Sequence, residues 1–194
     1  MGVYLVSVGA EEWFDEVEEG WGEVASALDV ELRRRGLPPY EDVPSEMDFE
    51  AGSGQAFEEK LTPSMTGFLG LCETHLSQEE SEILSGWTVL VPFSLDKGIW
   101  LPINSGYCES TMVVGAPQVL PLAEKLAAAI ELPPETPATC DSLDLSMWFR
   151  NQAKELAITR TGRWSTDLDM AFYVALFLRA AQHSIRRGCP IVCT

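Results

Sequence analysis

The chain has no apolar run long enough to cross a bilayer. Its longest, Met170 to Leu178, is nine residues held between Asp169 and Arg179, where a spanning helix needs about 20. Cations are scarce as well, with 13 Lys and Arg against 30 Asp and Glu and a formal charge of −17. Nucleic-acid backbones are held by cations that displace their counterions, so nucleic acid is not an expected partner. Membrane binding is not expected either. The five cysteines, at 72, 108, 140, 189 and 193, are odd in number and irregular in spacing, which argues against a disulfide framework and for reduced thiols. The segment Met1–Val6 has no basic residues before its apolar run and meets Glu11-Glu12 soon after, so it does not read as a secretory signal. A cytoplasmic location is the expectation.

Catalytic and nucleotide signatures are missing too. There is no Gly-x-Ser-x-Gly elbow, no His-Glu-x-x-His helix and no Walker motif. Gly52-Ser53-Gly54 lacks the strand-then-helix setting of a phosphate loop, and Val113-Val114-Gly115 lacks the further glycines of a dinucleotide fingerprint. The pattern leans away from an enzyme, and no cofactor is expected. Cys72-Glu73-Thr74-His75 has the spacing of half a zinc site, but the other candidate pair, Cys189 and Cys193, encloses Pro190. With only two histidines in the chain, no metal is expected.

The charge that is present is unevenly placed. Residues 1–82 carry 20 Asp and Glu against 4 Lys and Arg, whereas residues 150–194 carry 3 against 7. Two arrangements satisfy this asymmetry: the halves neutralise each other in the fold, or the acidic half faces a basic partner and steers it in. Solubility alone is the plainest use of such charge.

Apolar periodicity outlines one domain over residues 1–194. Val3–Val8 is apolar on both alternating faces and reads as an interior strand. Trp21, Val24, Ala25, Leu28 and Leu32 recur at helical spacing before Arg33-Arg34-Arg35-Gly36. The span 37–56, with Pro38, Pro39 and Pro44, reads as an exposed, flexible acidic loop. Short helices are expected over 67–76 and 78–84, the second opened by a Ser77/Glu80 capping box. Strands at 87–91 and 99–103 flank Asp96-Lys97-Gly98 and read as a hairpin, with a third strand at 111–114 and a helix running to Glu131. The last third reads as a helix over 143–158, a long hydrophobic helix over 165–187, Gly188 as its stop and a terminal strand at 190–193. The expected fold is α+β, a mixed sheet of about three to five strands covered by several helices.

Two sets of residues are candidate sites. Arg160, Arg163 and Trp164 are the densest cation-aromatic cluster, followed by Asp167 and Asp169 at a helix start. With His183 further along that helix, they could hold an anionic ligand or serve a small enzyme. Helix capping and internal pairing explain the same residues more simply. Glu11, Glu12, Trp13, Asp15 and Glu16, with Phe14 and Trp21 as further aromatic anchors, form the partner-binding candidate. The favoured expectation is a non-catalytic, acidic interaction module of inhibitor or immunity type, directed at a basic protein.

Overall fold

In the computed structural model the described residues are 2–16, 20–45, 50–104 and 109–194. Six strands, β1 (Val3–Ser7), β2 (Glu58–Leu61), β3 (Val89–Val91), β4 (Ile99–Leu101), β5 (Thr111–Gly115) and β6 (Ile191–Cys193), form one sheet in the order β2-β1-β6-β3-β5-β4. Only β3 and β5 pair in parallel; the other neighbours are antiparallel. The described helices are α1 (Ala10–Trp13), α2 (Gly22–Arg34), α3 (Thr66–His75), α4 (Gln78–Ser85), α5 (Ala116–Ile130), α6 (Asp144–Arg150), α7 (Gln152–Thr159), α8 (Arg163–Thr166) and α9 (Leu168–Arg187). The fold is α+β.

Side chains alternate across each strand, so continuous apolar strands must be covered on both faces. Val89, Val91, Val113 and Val192 point to one layer, where α2 packs with Val24, Leu28 and Leu32. Leu5, Leu90, Met112, Val114 and Ile191 point to the other, built by α3 to α9. At its N-terminus α9 is capped by Asp167, whose Oδ1 accepts from the Met170 amide at 3.0 Å, and it ends at Gly188, whose φ of 69° suits a residue without Cβ. A Cβ on Gly67 would collide with the Asp167 carboxylate, so this glycine is what lets α3 lie against the start of α9. Along α9 the rings of Phe172, Tyr173 and Phe177 meet Phe149, Phe68 and Trp87. Among the described residues no helix is long and apolar enough to cross a membrane.

Three features depart from the sequence reading. β3 and β4 do not form a hairpin, because β5 lies between them. β5 is buried at all five positions and takes the interior place, while β4, with Trp100 66% exposed, takes the edge. The helix expected over 143–158 breaks at Asn151 (φ −118°, ψ −84°). The break leaves Trp148 and Phe149 of α6 against Trp164 and Phe172, while α7 buries only Ala153. β2 was not anticipated, since Glu58-Glu59-Lys60-Leu61 has little apolar content. It is held by its pairing with β1 and by Glu59, which is fully buried. The Glu59 carboxylate accepts from the Leu145 and Ser146 amides at 2.6 and 3.1 Å and from Ser146 Oγ at 2.9 Å, fixing α6 to the strand.

The acidic segment 37–56 contains anchors. Tyr40 and Val43 are buried, and Tyr40 donates its hydroxyl to the Gly188 carbonyl at 2.8 Å while its ring meets Trp13 and Phe93. Residues 46–49 of that segment lie outside the described residues.

Leu176 is fully buried in the layer between α9 and the sheet. Leu176→Ala should therefore lower the unfolding free energy by about 2–5 kcal/mol through lost contacts and the cavity left behind. Chemical denaturation read by tryptophan fluorescence measures this, and a loss below about 0.5 kcal/mol is the range of a surface position.

Candidate functional site

The end of β1 is held open by its neighbours. Ser7 is tied to Phe57 twice, its amide donating to the Phe57 carbonyl and its Oγ accepting from the Phe57 amide, both at 2.9 Å. Val8 donates to the Pro190 carbonyl and Ala10 to the Pro44 carbonyl. Between α1, the 50–58 segment and the last turn of α9 lies a groove of about 380 Å³. Glu12, Glu50, Glu58 and Asp141 line it, and Arg187 is the one cation among its described lining residues. Val8, Pro44 and Phe57 give it apolar walls.

Gly54 organises the floor. At φ +69° it occupies the left-handed region, where an added Cβ would crowd Thr139 and Arg186. Its amide donates to Asp141 Oδ2 at 3.0 Å, and its carbonyl accepts from Arg186 Nη2 at 3.1 Å. Asp141 is 2% exposed. Its other oxygen, Oδ1, and Gln55 Oε1 are both buried without a hydrogen-bond partner among the described residues. Buried acceptors are almost always satisfied in folded proteins, and these two are exceptions.

Next to this floor, His183 is buried against the Phe57 ring, with Nδ1 3.4 Å from Arg186 Nη2. Burial, with the Arg186 and Arg187 charges, pushes its pKa down to about 3, so it is neutral at physiological pH and cannot be a proton donor there. Burial also raises the Cys140 thiol and lifts Cys189 to about 11. Both stay protonated and are poor nucleophiles. Among the described residues no group of three or more His, Cys, Asp or Glu side chains could hold a metal ion.

The anionic-ligand candidates are dispersed. Arg160 pairs with Glu135 at 2.9 Å, and Arg163 reaches the Ala129 carbonyl. Trp164 is buried beside Trp148. Asp167 caps α9, and Asp169 accepts from the Ser64 amide. His183 lies 14 residues beyond Asp169, about 21 Å along the helix at 1.5 Å per residue. Asp169 lines a second groove of about 310 Å³ with Arg150, Lys154, Ser146, Phe149 and Phe172. Among the partner candidates, Glu11, Glu12, Asp15 and Glu16 are exposed. Trp13 is a correction, since it is fully buried under Tyr40. Its place at i+3 from Ala10 turns it onto the α2 layer, leaving Phe14, 44% exposed, as the accessible ring. Trp21 is half-buried against the same layer.

The sequence pattern places Arg186 on one polar helix face with Arg179, Gln182 and His183, but it does not single out Gln55, Glu58 or Asp141, which come from two distant stretches and of which only Gln55 adjoins a marked run, Gly52-Ser53-Gly54.

Two buried groups titrate in opposite senses. Burial raises Glu59 from its ordinary 4.5 to about 7, against the pull of its three donors, so the stability it provides is lost as pH rises from 4.5 through 7. His183 falls from 6.5 to about 3, so its contribution is full above 6.5 and lost as pH falls toward 3. Between 4.5 and 6.5 the two offset each other. Relative to wild type, Glu59→Gln should tilt the stability profile upward with pH in that window, and His183→Asn should tilt it downward, each by up to about 1.4 kcal/mol per pH unit. Denaturant midpoints measured from pH 4 to 8 read both slopes, and parallel profiles for the three proteins would contradict this assignment.

Among known proteins, no family model, no curated sequence and no solved structure matches this chain.

Proposed function

We propose that this protein is a non-catalytic acidic interaction module, of inhibitor or immunity type, that receives a basic partner protein across α1 and the adjoining groove. The observation that carries the reading is how the C-terminal cations are used. Arg160 is paired with Glu135, Arg163 reaches Ala129, Arg179 holds the Pro137 and Thr136 carbonyls, and Arg186 holds Gly54. None of these four guanidinium groups bonds to a carboxylate of residues 1–82. The acidic half therefore keeps much of its charge, and Glu16, Glu50 and Glu58 are exposed without an ion pair among the described residues.

A face rich in exposed carboxylates repels itself and offers little to stability, but it speeds encounter with a cationic surface. The exposed Phe14 beside these carboxylates gives the apolar anchor that a charged rim alone lacks. The alternative, a small enzyme or anionic-ligand domain using Arg160 to Asp169 with His183, draws less support because those residues are divided between the two ends of α9.

Reversing Glu11, Glu12, Asp15 and Glu16 to Lys tests the reading. Exposed charges contribute about 0–1 kcal/mol each, so the quadruple variant should stay folded. Its association rate with a basic partner recovered by affinity capture should fall by about tenfold or more, and salt should slow the wild type in the same way. Surface plasmon resonance at several ionic strengths measures both. Salt-independent association, or an unchanged rate in the variant, would remove the reading.

A further inference from the structure

Toward the start of α9, the second groove carries the opposite local charge. Arg150 closes α6 and Lys154 lies in α7, and both line the groove while remaining exposed. Neither forms an ion pair among the described residues. This stands out in a chain with 30 Asp and Glu against 13 Lys and Arg, where Arg34, Arg35 and Arg160 are each held by a glutamate. α7 buries only Ala153, so it gives little to the core and supplies Lys154 to the groove. The opposite sign comes from Asp169, the one carboxylate among the described lining residues. Its Oδ2 accepts from the Ser64 amide at 3.3 Å, which tethers the carboxylate and leaves Oδ1 open to a second donor. Pro63 and Leu168, both half-buried, give the groove accessible apolar walls, and the buried Phe149 closes its floor.

We propose that this groove binds a free α-amino acid with an aliphatic side chain, its carboxylate on Arg150 and Lys154 and its ammonium on Asp169. Two cations and one carboxylate in one small space match a ligand that carries both charges. The volume of about 310 Å³ is at the small end of ligand sites, roughly 300–1,000 Å³, so a single small molecule meets both signs at once. Nucleotides and other multiply charged anions are disfavoured, because a protein of charge −17 repels them at long range and Asp169 repels them at contact. A plain amine is opposed by the two cations, and a plain monocarboxylate leaves Asp169 unanswered. The guanidinium fork of Arg150 suits a carboxylate, with Lys154 as a point charge beside it. The aliphatic side chain lies on Pro63 and Leu168, where its gain is the apolar surface removed from water. This site is separate from the acidic module and uses none of the carboxylates on α1.

Nitrogen-15 spectra of the full chain, titrated at low ionic strength with L-leucine, isocaproate and isoamylamine, test the site. The two analogues keep the leucine side chain and lack its ammonium or its carboxylate. L-Leucine should shift the Ser64, Arg150 and Lys154 amides saturably with millimolar affinity, and each analogue should bind about fivefold or more weakly, as expected when one exposed charge contact is lost. Arg150→Gln with Lys154→Gln removes two exposed, unpaired charges, so the variant should fold as the wild type does, yet it should weaken L-leucine by about tenfold or more. Asp169→Asn keeps an acceptor for the Ser64 amide and should bring L-leucine down to the affinity of isocaproate. Reversing Glu11, Glu12, Asp15 and Glu16 to Lys should leave L-leucine binding in place, which separates the fate of this site from that of the acidic module. No saturable shift at these amides, or an unchanged L-leucine affinity in the Arg150 and Lys154 double variant, would overturn the site. Isocaproate binding as tightly as L-leucine would overturn the amino-acid assignment in favour of a simple monocarboxylate.

Discussion

The larger of the two layers of this molecule is arranged around one helix that cannot face water. α9 carries nine consecutive apolar residues, so no single stripe can be buried while the rest is solvated, and covering has to come from all sides. The sheet covers one side through Leu90, Val114 and Ile191, α5 and α3 flank it, and the α6–α8 segment closes the remainder. Each of those elements carries its own signature of the demand: Gly67 yields space to Asp167, Asn151 bends the chain so that Trp148 and Phe149 face inward, and Tyr173 finds the Pro63 carbonyl for its hydroxyl. Polar groups are tolerated on α9 only where they are answered, as Arg179 is by two backbone carbonyls.

The groove depends on that helix at second hand. Where α9 runs out of apolar residues, His183, Arg186 and Arg187 follow; His183 is buried, while Arg186 is exposed and reaches the Gly54 carbonyl. Arg186 fixes Gly54 from one side while Asp141 fixes it from the other, so this backbone unit is held between opposite charges. This arrangement is stiff at its centre and chemically incomplete at Asp141 Oδ1 and Gln55 Oε1. Two buried carboxylates thus differ in how far they are satisfied: Glu59 is met by three donors and holds elements together, whereas Asp141 keeps one oxygen without a partner among the described residues.

Much of the fold was legible because local signals and long-range packing agreed. The Ser77/Glu80 capping box opens α4, the apolar stripe of α2 meets the sheet, and Gly188 ends α9. The strand order was not legible, since Asp96-Lys97-Gly98 carries turn chemistry whether its flanking strands pair with each other or with a third. That choice rests on β5 being apolar on both faces, a property that acts only once the sheet assembles. β2 was hidden for the opposite reason, because its two glutamates mask a strand whose inward Glu59 is hydrogen-bonded by the first amides of a helix distant in sequence. The site was the least legible part. The excess of acid at one end was evident from counting, but the unmet acceptors beside it sit at positions 55 and 141, and nothing in a one-dimensional reading joins a glutamine after a glycine turn to an aspartate after a cysteine. Trp13 shows the converse limit: an aromatic residue among carboxylates reads as an exposed anchor, yet the neighbouring Tyr40 draws it inside.

β6 has a consequence for how the protein comes into being. It is the strand that bonds to both β1 and β3, so without it the sheet is two ribbons, β2-β1 and β3-β5-β4, with no hydrogen bonds between them among the described strands. Of the described elements it is also the last to leave the ribosome. A nascent chain can pair each ribbon early but cannot join them until residues 191–193 emerge, and contacts of such long sequence separation form late and slowly. The groove, whose walls come from β1 on one side and from Arg187 and Cys189 on the other, takes shape only at that closing step. Its acidic surface is therefore assembled only after residues 191–193 have emerged and paired with β1 and β3.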